Sequence, residues 1–499
     1  MFYAMVYYCQ AMVFSSIGFL FYLLPLFIVV YYCLPSNVAA KNLCFLLVSL
    51  LFYFWGEHLF TIVLLTSIFL NYICGIWIDR KEALSRKRIF RLGIFLNLAL
   101  LVLFKYSPFI INNIATIVGA TLIEEMGMFE LMSIHLPLGI SFFTFQGMSY
   151  LFDVYRKDEK AEYNFINVAL FISMFPQLIA GPIVRYKDIR AYIKERSSSI
   201  DNIIHGINLF VVGLAYKVLI ANTLATPVDT IFALDGDQLS CGLAWTGTLA
   251  YTLQIYFDFC GYSTMAIGLG LMVGIKFPTN FNFPYISKSI SEFWRRWHIT
   301  LSEWFRDYLY IPLGGNRNGT LKTYRNLLIV FLLCGIWHGA SWVFLFWGLY
   351  HGFFLVLERL GLSRTLTVIP AVFSHFYALM VVFIGWVFFR SDSFTQALYF
   401  VQSMMGCGVD SPESLLISEV LSVQVIVAFV AGIFLSTPLV KPIFFKIDSS
   451  WSTLMDLSTT PHKSRSSAIV WQVSMLVILF LSIMVLFNQS YNPFIYFRF

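Results

Sequence analysis

Apolar residues in this chain come in long, nearly unbroken runs, not in the alternating or one-faced patterns of elements half exposed to water. The runs lie near Val13–Tyr32, Leu43–Trp55, Phe60–Ile78, Leu92–Leu103, Pro137–Leu151 and Phe165–Ile183. Others follow at Ile203–Ile220, Gly242–Ile275, Leu327–Leu357, Val368–Phe389, Leu421–Leu435 and Ala468–Phe487. A hydrocarbon crossing takes about 20 apolar residues, so these runs predict about ten to twelve crossings. The longer runs have room for two passes, or for one pass and a buried re-entrant piece. Runs of this length are helical, because a lipid-exposed backbone must satisfy its own hydrogen bonds. The first run is too long for a signal-peptide core and ends without a small-x-small cleavage site, so it is expected to be retained, with Met12 a candidate start.

One stretch breaks the pattern. In Ser291–Tyr308, Trp294, Trp297, His298, Leu301, Trp304, Phe305 and Tyr308 recur at three-and-four spacing, while Glu292, Arg295, Arg296, Ser302, Glu303 and Arg306 take the other side. This predicts an amphipathic helix with His298 on its buried aromatic face, lying in the membrane interface or packed over a membrane core.

Composition sharpens the class. The chain is 59% hydrophobic and only 12% charged, against about 25% charged in a typical soluble domain. Its 52 Phe, 27 Tyr and 12 Trp suit the aromatic belts at membrane interfaces. The expected fold is therefore all-α and polytopic, one transmembrane domain over residues 1–499 with no soluble domain or internal repeat between the spans. The net charge of +6 does not point to nucleic acid, because the cations gather in particular loops. Arg80, Lys81, Arg86, Lys87, Arg88 and Arg91 form one basic group; Arg185, Lys187, Arg190, Lys194 and Arg196 a second; and Lys441, Lys446, Lys463 and Arg465 a third. Acidic connections at Glu124, Glu125 and Glu130, at Asp235 and Asp237, and at Asp410 and Glu413 lie between them. Positive charge is retained on the cytoplasmic side, so the basic groups are expected inside and the acidic ones outside. The eight cysteines are scattered without a C-x-x-C pair, which argues against a metal site or a disulfide framework. The absence of a G-x-S-x-G elbow, a Walker loop and an H-E-x-x-H helix weighs against a serine hydrolase, an ATP-driven pump and a zinc protease.

Ionisable groups inside apolar runs are costly and mark candidate chemistry. His338 stands deep in one, within Leu332-Leu333-Cys334-Gly335-Ile336-Trp337-His338-Gly339-Ala340-Ser341-Trp342. A histidine there fits a general base toward a hydroxyl, and it equally fits an imidazole hydrogen-bonded to a neighbouring helix. For His298 the alternatives are a functional imidazole and a core histidine with one satisfied bond. Asp258, in Leu253-Gln254-Ile255-Tyr256-Phe257-Asp258-Phe259, fits a buried structural partner better than a group that orients a histidine or substrate. Arg295, Arg296, Arg306, Arg317, Lys322 and Arg325 have the charge to hold the phosphates of an acyl-coenzyme A, and they also fit the positive-inside rule or lipid headgroups. Cys334, four residues before His338, reads as a packing residue before it reads as an acyl carrier.

At these residues the chain resembles a known family. Tyr256-Phe-Asp-Phe-Cys-Gly-Tyr-Ser263, followed by Ser291-Glu-Phe-Trp-Arg-Arg-Trp-His-Ile-Thr-Leu-Ser-Glu-Trp-Phe-Arg-Asp-Tyr-Leu-Tyr-Ile-Pro-Leu-Gly-Gly-Asn-Arg317, closely resembles the alginate O-acetyltransferase type of the membrane-bound O-acyltransferase (MBOAT) superfamily. Leu136-Pro-Leu-Gly-Ile-Ser-Phe-Phe-Thr-Phe-Gln146, Phe175-Pro-Gln-Leu-Ile-Ala-Gly-Pro-Ile-Val-Arg185 and Tyr491-Asn-Pro-Phe-Ile-Tyr-Phe-Arg-Phe499 are similar to the same family, with the signature region spanning 136–360. The resemblance implies a ring of spans around a thinned centre with re-entrant or interfacial helices. It implies that His338 is the catalytic histidine and His298 the second important one. It further implies an acetyl-coenzyme A or other acyl thioester donor, no bound cofactor, and a bacterial cytoplasmic (inner) membrane location. A polysaccharide acceptor and an extracytoplasmic SGNH-type acetyltransferase partner are implied in the same way. Two positions depart from the family pattern, Cys260 where Ser is frequent and Thr264 where Asp is frequent. The rival readings are a transporter or flippase of a lipid-linked sugar, a scaffold that only recruits an extracytoplasmic enzyme, and D-alanyl transfer to a cell-wall polymer.

Overall fold

The computed structural model describes residues 13–119, 135–236, 238–407, 417–440, 465–488 and 492–495. The acidic positions Glu124, Glu125, Glu130, Asp237, Asp410 and Glu413, the basic positions Lys441, Lys446 and Lys463, the candidate start Met12 and both ends of the Tyr491–Phe499 motif lie outside them.

The described residues are helical and contain no β-strand. Seven segments among them are long and apolar enough to cross a membrane. One, Val38–Arg80, holds two helices of 20 residues each, Val38–Glu57 and Thr61–Arg80, joined by a short turn. Other apolar runs resolve into shorter elements. Pro137–Leu151 feeds a 17-residue helix, Ile140–Arg156, whose side chains are almost all buried in protein, and Phe165–Ile183 breaks after Ser173 ahead of Pro176. By contrast, the Arg465–Asn488 helix presents Val470, Leu476, Phe480 and Phe487 outward. An outward face this apolar belongs in lipid. The protein is a multi-pass membrane protein.

The described residues cluster into two compact units. The first comprises Met1–Gly206 with Ala266–Pro278. Its centre is the packing of Thr61–Arg80, Ala83–Leu101 and Ile140–Arg156. The Asn71 and Asn97 amides exchange two hydrogen bonds of 3.0 Å across the first two helices, which satisfies both in an apolar setting. Gly147 makes room for that pair, since a Cβ there would come within 2.3 Å of Asn71 Nδ2. Arg86, expected in a basic loop, is instead buried and donates to the carbonyls of Val154 and Tyr155 at 2.6 and 2.7 Å. It thereby caps the end of Ile140–Arg156, where carbonyls lack helical partners. Phe175 is the hub of the same unit, with the rings of Phe19, Phe27, Phe45 and Phe52 within 5.9 Å.

The second unit comprises Ile207–Met265 with Thr279–Phe499. Thr320–His338 and Trp342–Leu357 form a helical hairpin turned at Gly339–Ser341, and Ser341 Oγ accepts from Phe344 N at 3.4 Å to cap the return helix. The hairpin closes tightly: a Cβ on Gly335 would sit 2.3 Å from the Phe344 carbonyl oxygen, and one on Gly348 2.2 Å from that of Phe331. In the same unit, Lys217 Nζ lies 2.5 Å from Asp258 Oδ1, both side chains being 3% exposed. Lys217 also donates to the Pro493 carbonyl, and Asp258 Oδ2 accepts from Ile495 N at 2.8 Å. One buried ion pair thus holds the segment 492–495 against the helix Cys241–Met272.

Breaking a buried pair by removing one partner leaves the other charge without its counter-ion, at about 3–5 kcal/mol. Lys217→Met is expected to lower the thermal unfolding temperature of the detergent-solubilised protein sharply, and Lys217→Met with Asp258→Leu to recover most of the loss. Gly348→Val should destabilise by about 1–3 kcal/mol in the same assay, since the hairpin has no room for added carbons.

Candidate active site

The site is built from five stretches of the second unit. Cys241–Met272 contributes Ile255 and Phe259, the hairpin contributes His338 and Trp347, Ala371–Arg390 contributes Trp386 and Phe389, and the latched segment contributes Ile495. With Trp297 these side chains line one narrow pocket. His338 is the last residue of its helix and 5% exposed. Its ring meets Trp347 at 5.1 Å and Phe389 at 5.2 Å, both edge-on. The surroundings are aromatic: Trp297 lies 4.8 Å from Trp386, and Trp347 stacks on Trp386 at 6.2 Å.

The amphipathic stretch departs from expectation. It is two short helices, Ile290–Arg296 and Ile299–Phe305, not one. His298, fully buried as expected, sits at the break with φ 44° and ψ 54°, a left-handed conformation uncommon outside glycine. No proline or glycine breaks the sequence there; tertiary contacts do. Asn282 N donates to the Arg296 carbonyl at 2.9 Å and Ile299 N to the Asn280 carbonyl at 3.0 Å, so a neighbouring non-helical stretch takes up groups a continuous helix would have used. Ser302 Oγ ties the two pieces together by donating to the Trp294 carbonyl at 3.1 Å. Glu358, buried, anchors the start of the first piece by accepting from Ile290 N, Ser291 N and Ser291 Oγ at 2.6–2.9 Å. The pattern was legible because both pieces bury the same face.

The two histidines share one aromatic cluster, but His298 is not among the pocket's lining residues. The His298 ring is 4.6 Å from Phe259, which lines the pocket, and 6.1 Å from Trp337, which precedes His338. Burial alone pushes the His298 imidazole down to about 3, far below the ordinary histidine value. Asp258 is committed to Lys217 and Ile495 and is not among the pocket's lining residues. Thr264, at the second departure, spends its hydroxyl on the Cys260 carbonyl at 2.7 Å. The four arginines also stand apart from the pocket lining. Arg295, Arg306 and Arg317 are exposed, Arg306 lying 2.8 Å from Asp307, while Arg296 pairs with Glu292 at 2.8 Å. Among the described residues no cluster of three potential metal ligands occurs.

Sequence reasoning passed over four residues. Lys217 and His351 carried a usable signal, since each is an ionisable group inside an apolar run. His351 is 1% exposed and faces Phe293, Trp294 and Trp347. Asn280 and Glu358 carried none, as an amide in a connection and a carboxylate at a run's end are ordinary in isolation.

Comparison with known proteins agrees with this architecture. Residues 49–401 match the family model of the membrane-bound O-acyltransferase family. The chain is 38% identical over 510 residues to a probable alginate O-acetylase of Azotobacter vinelandii, covering 98% of this chain and 100% of the relative. It is 34% identical to a peptidoglycan O-acetyltransferase of Helicobacter pylori, covering 98% of each. A teichoic acid D-alanyltransferase of Bacillus subtilis is 32% identical over 227 residues, 43% of this chain and 56% of the relative. With a family match over most of its length and relatives alike from end to end, this chain belongs to the membrane-bound O-acyltransferase family and is an acyltransferase.

Proposed function

We propose that the protein moves an acetyl group from a cytoplasmic thioester, acetyl-coenzyme A or a related donor, for O-acetylation of an extracytoplasmic polysaccharide. The observation that carries this reading is His338 at the end of its helix, held edge-on by Trp347 and Phe389 in a buried pocket. The imidazole takes the proton of an acceptor hydroxyl as its oxygen attacks the thioester carbonyl. A carbon–oxygen bond forms, the carbon–sulfur bond breaks, and the proton leaves with the thiol. His298 orients a reactant or supports developing charge. The aromatic walls keep water from competing with the acceptor.

The relatives named for alginate and peptidoglycan support a hydroxyl-bearing glycan as the final acceptor. An SGNH-type extracytoplasmic acetyltransferase completes the delivery, and the membrane is the bacterial inner membrane. Among the described residues the exposed arginines Arg295, Arg306 and Arg317 offer charge for the donor's phosphates. The D-alanyltransferase relative supports a second reading, transfer of D-alanine by the same chemistry.

General-base assistance contributes about 10²–10⁴-fold in rate. His338→Ala should therefore reduce the acetyl-ester content of surface glycans, measured by mass spectrometry, to near that of cells lacking the protein. Its thermal unfolding should match wild type. Full acetylation by the folded variant excludes the assigned role, and alanyl esters in place of acetyl esters select the second reading.

A further inference from the structure

Asn280 stands where the two pieces of the broken helix meet. Its Oδ1 accepts from Thr300 N at 3.3 Å and from Thr300 Oγ1 at 2.9 Å, and lies 3.1 Å from His298 Nδ1. Its Nδ2 lies 3.1 Å from Ser263 Oγ. The asparagine is 1% exposed. A backbone N–H only donates, so the atom facing Thr300 N is the amide oxygen, and the amide cannot be flipped without setting two donors against each other. That same oxygen faces His298 Nδ1, so Nδ1 must carry a hydrogen, since a bare nitrogen would oppose two lone pairs at contact distance. In a neutral imidazole the hydrogen on one nitrogen leaves the other bare. His298 Nε2 is buried and has no hydrogen-bond partner among the described residues.

Building on the acyl-transfer reading above, we propose that Asn280 is a positioning residue that locks His298 in the Nδ1–H tautomer, so that Nε2 serves as a hydrogen-bond acceptor for an O–H of the acyl acceptor. This decides between the two roles open to His298. A nitrogen that offers a lone pair orients a hydroxyl, and it does not stabilise the oxyanion of the tetrahedral intermediate, which needs donors. His298 is not itself among the residues lining the pocket; what points its Nε2 toward a ligand is the lack of a protein partner among the described residues and the contact of its ring with Phe259, which does line the pocket. The left-handed backbone at His298 belongs to the same device, because the contacts that turn the chain there, Ile299 N to the Asn280 carbonyl and Thr300 to the Asn280 side chain, also bring the imidazole onto that amide.

The test has two arms on the full-length protein in lipid. Histidine labelled with ¹⁵N at Nδ1, with His298 assigned by difference against His298→Gln, should show a protonated Nδ1 at this residue in wild type and in Asn280→Asp, whose carboxylate still accepts. A bare Nδ1 at His298 in wild type overturns the proposal. In the second arm, transfer from acetyl-coenzyme A to a mannuronate oligosaccharide is followed at steady state. Asn280→Asp should keep KM for the oligosaccharide near wild type, whereas Asn280→Leu should raise it about tenfold, as loss of one hydrogen bond to the acceptor does. Asn280→Leu that unfolds at the wild-type temperature and leaves KM unchanged overturns the proposal. Wild type that transfers nothing to the probe without its extracytoplasmic partner leaves the acyl-transfer reading standing, and the resonance arm decides the tautomer.

Discussion

In an apolar solvent every polar group that leaves a regular helix must find its partner inside the protein, and this constraint organises the second unit as it does the first. At several points where the chain stops being helical, a side chain supplies what the backbone lost. Arg86 closes the carbonyl end of Ile140–Arg156, and Glu358 closes the N–H end of Ile290–Arg296. The Asn326 amide donates to the Leu313 and Gly315 carbonyls in the turn that leads into the Thr320–His338 helix. Asn280 does the most, serving the break between two helices and the imidazole at that break with one carbonyl oxygen.

The same constraint separates the polar groups that hold the fold from those left for chemistry. Lys217 and Asp258 neutralise each other and hold the segment 492–495, which places Ile495 in the pocket wall. The ion pair therefore shapes the site without entering it. The pocket proper is walled by aromatic and aliphatic side chains, and among the described residues lining it His338 is the ionisable one. Such walls exclude water and hold the reacting groups by shape, while the buried charges of Lys217 and Asp258 are paired with each other.

Much of this was legible in the chain. The long apolar runs specified helices and a membrane, because no other backbone arrangement of that length survives in lipid. The buried aromatic face of Ser291–Tyr308, the isolation of His338 in an apolar run and the family motifs follow from residue types at short spacing. His298 was legible as a buried residue for the same reason. These are local properties, and local spacing carries them.

What the tertiary structure decided is everything that depends on a partner distant in sequence. The break at His298 has no breaker residue and arises from Asn280 and Asn282, 16 to 18 positions away by number. The assignment of Asp258 to Lys217 joins helices 41 positions apart, and its hold on Ile495 reaches 237 positions along the chain. Which apolar run faces lipid and which is buried in protein is likewise unreadable from hydropathy, since lipid and protein interior are equally apolar to a side chain. Sequence alone determined that this is a helical membrane protein with costly histidines in it. Only the folded chain decided which polar groups were spent on structure, because a hydrogen bond is a relation between two positions and not a property of one.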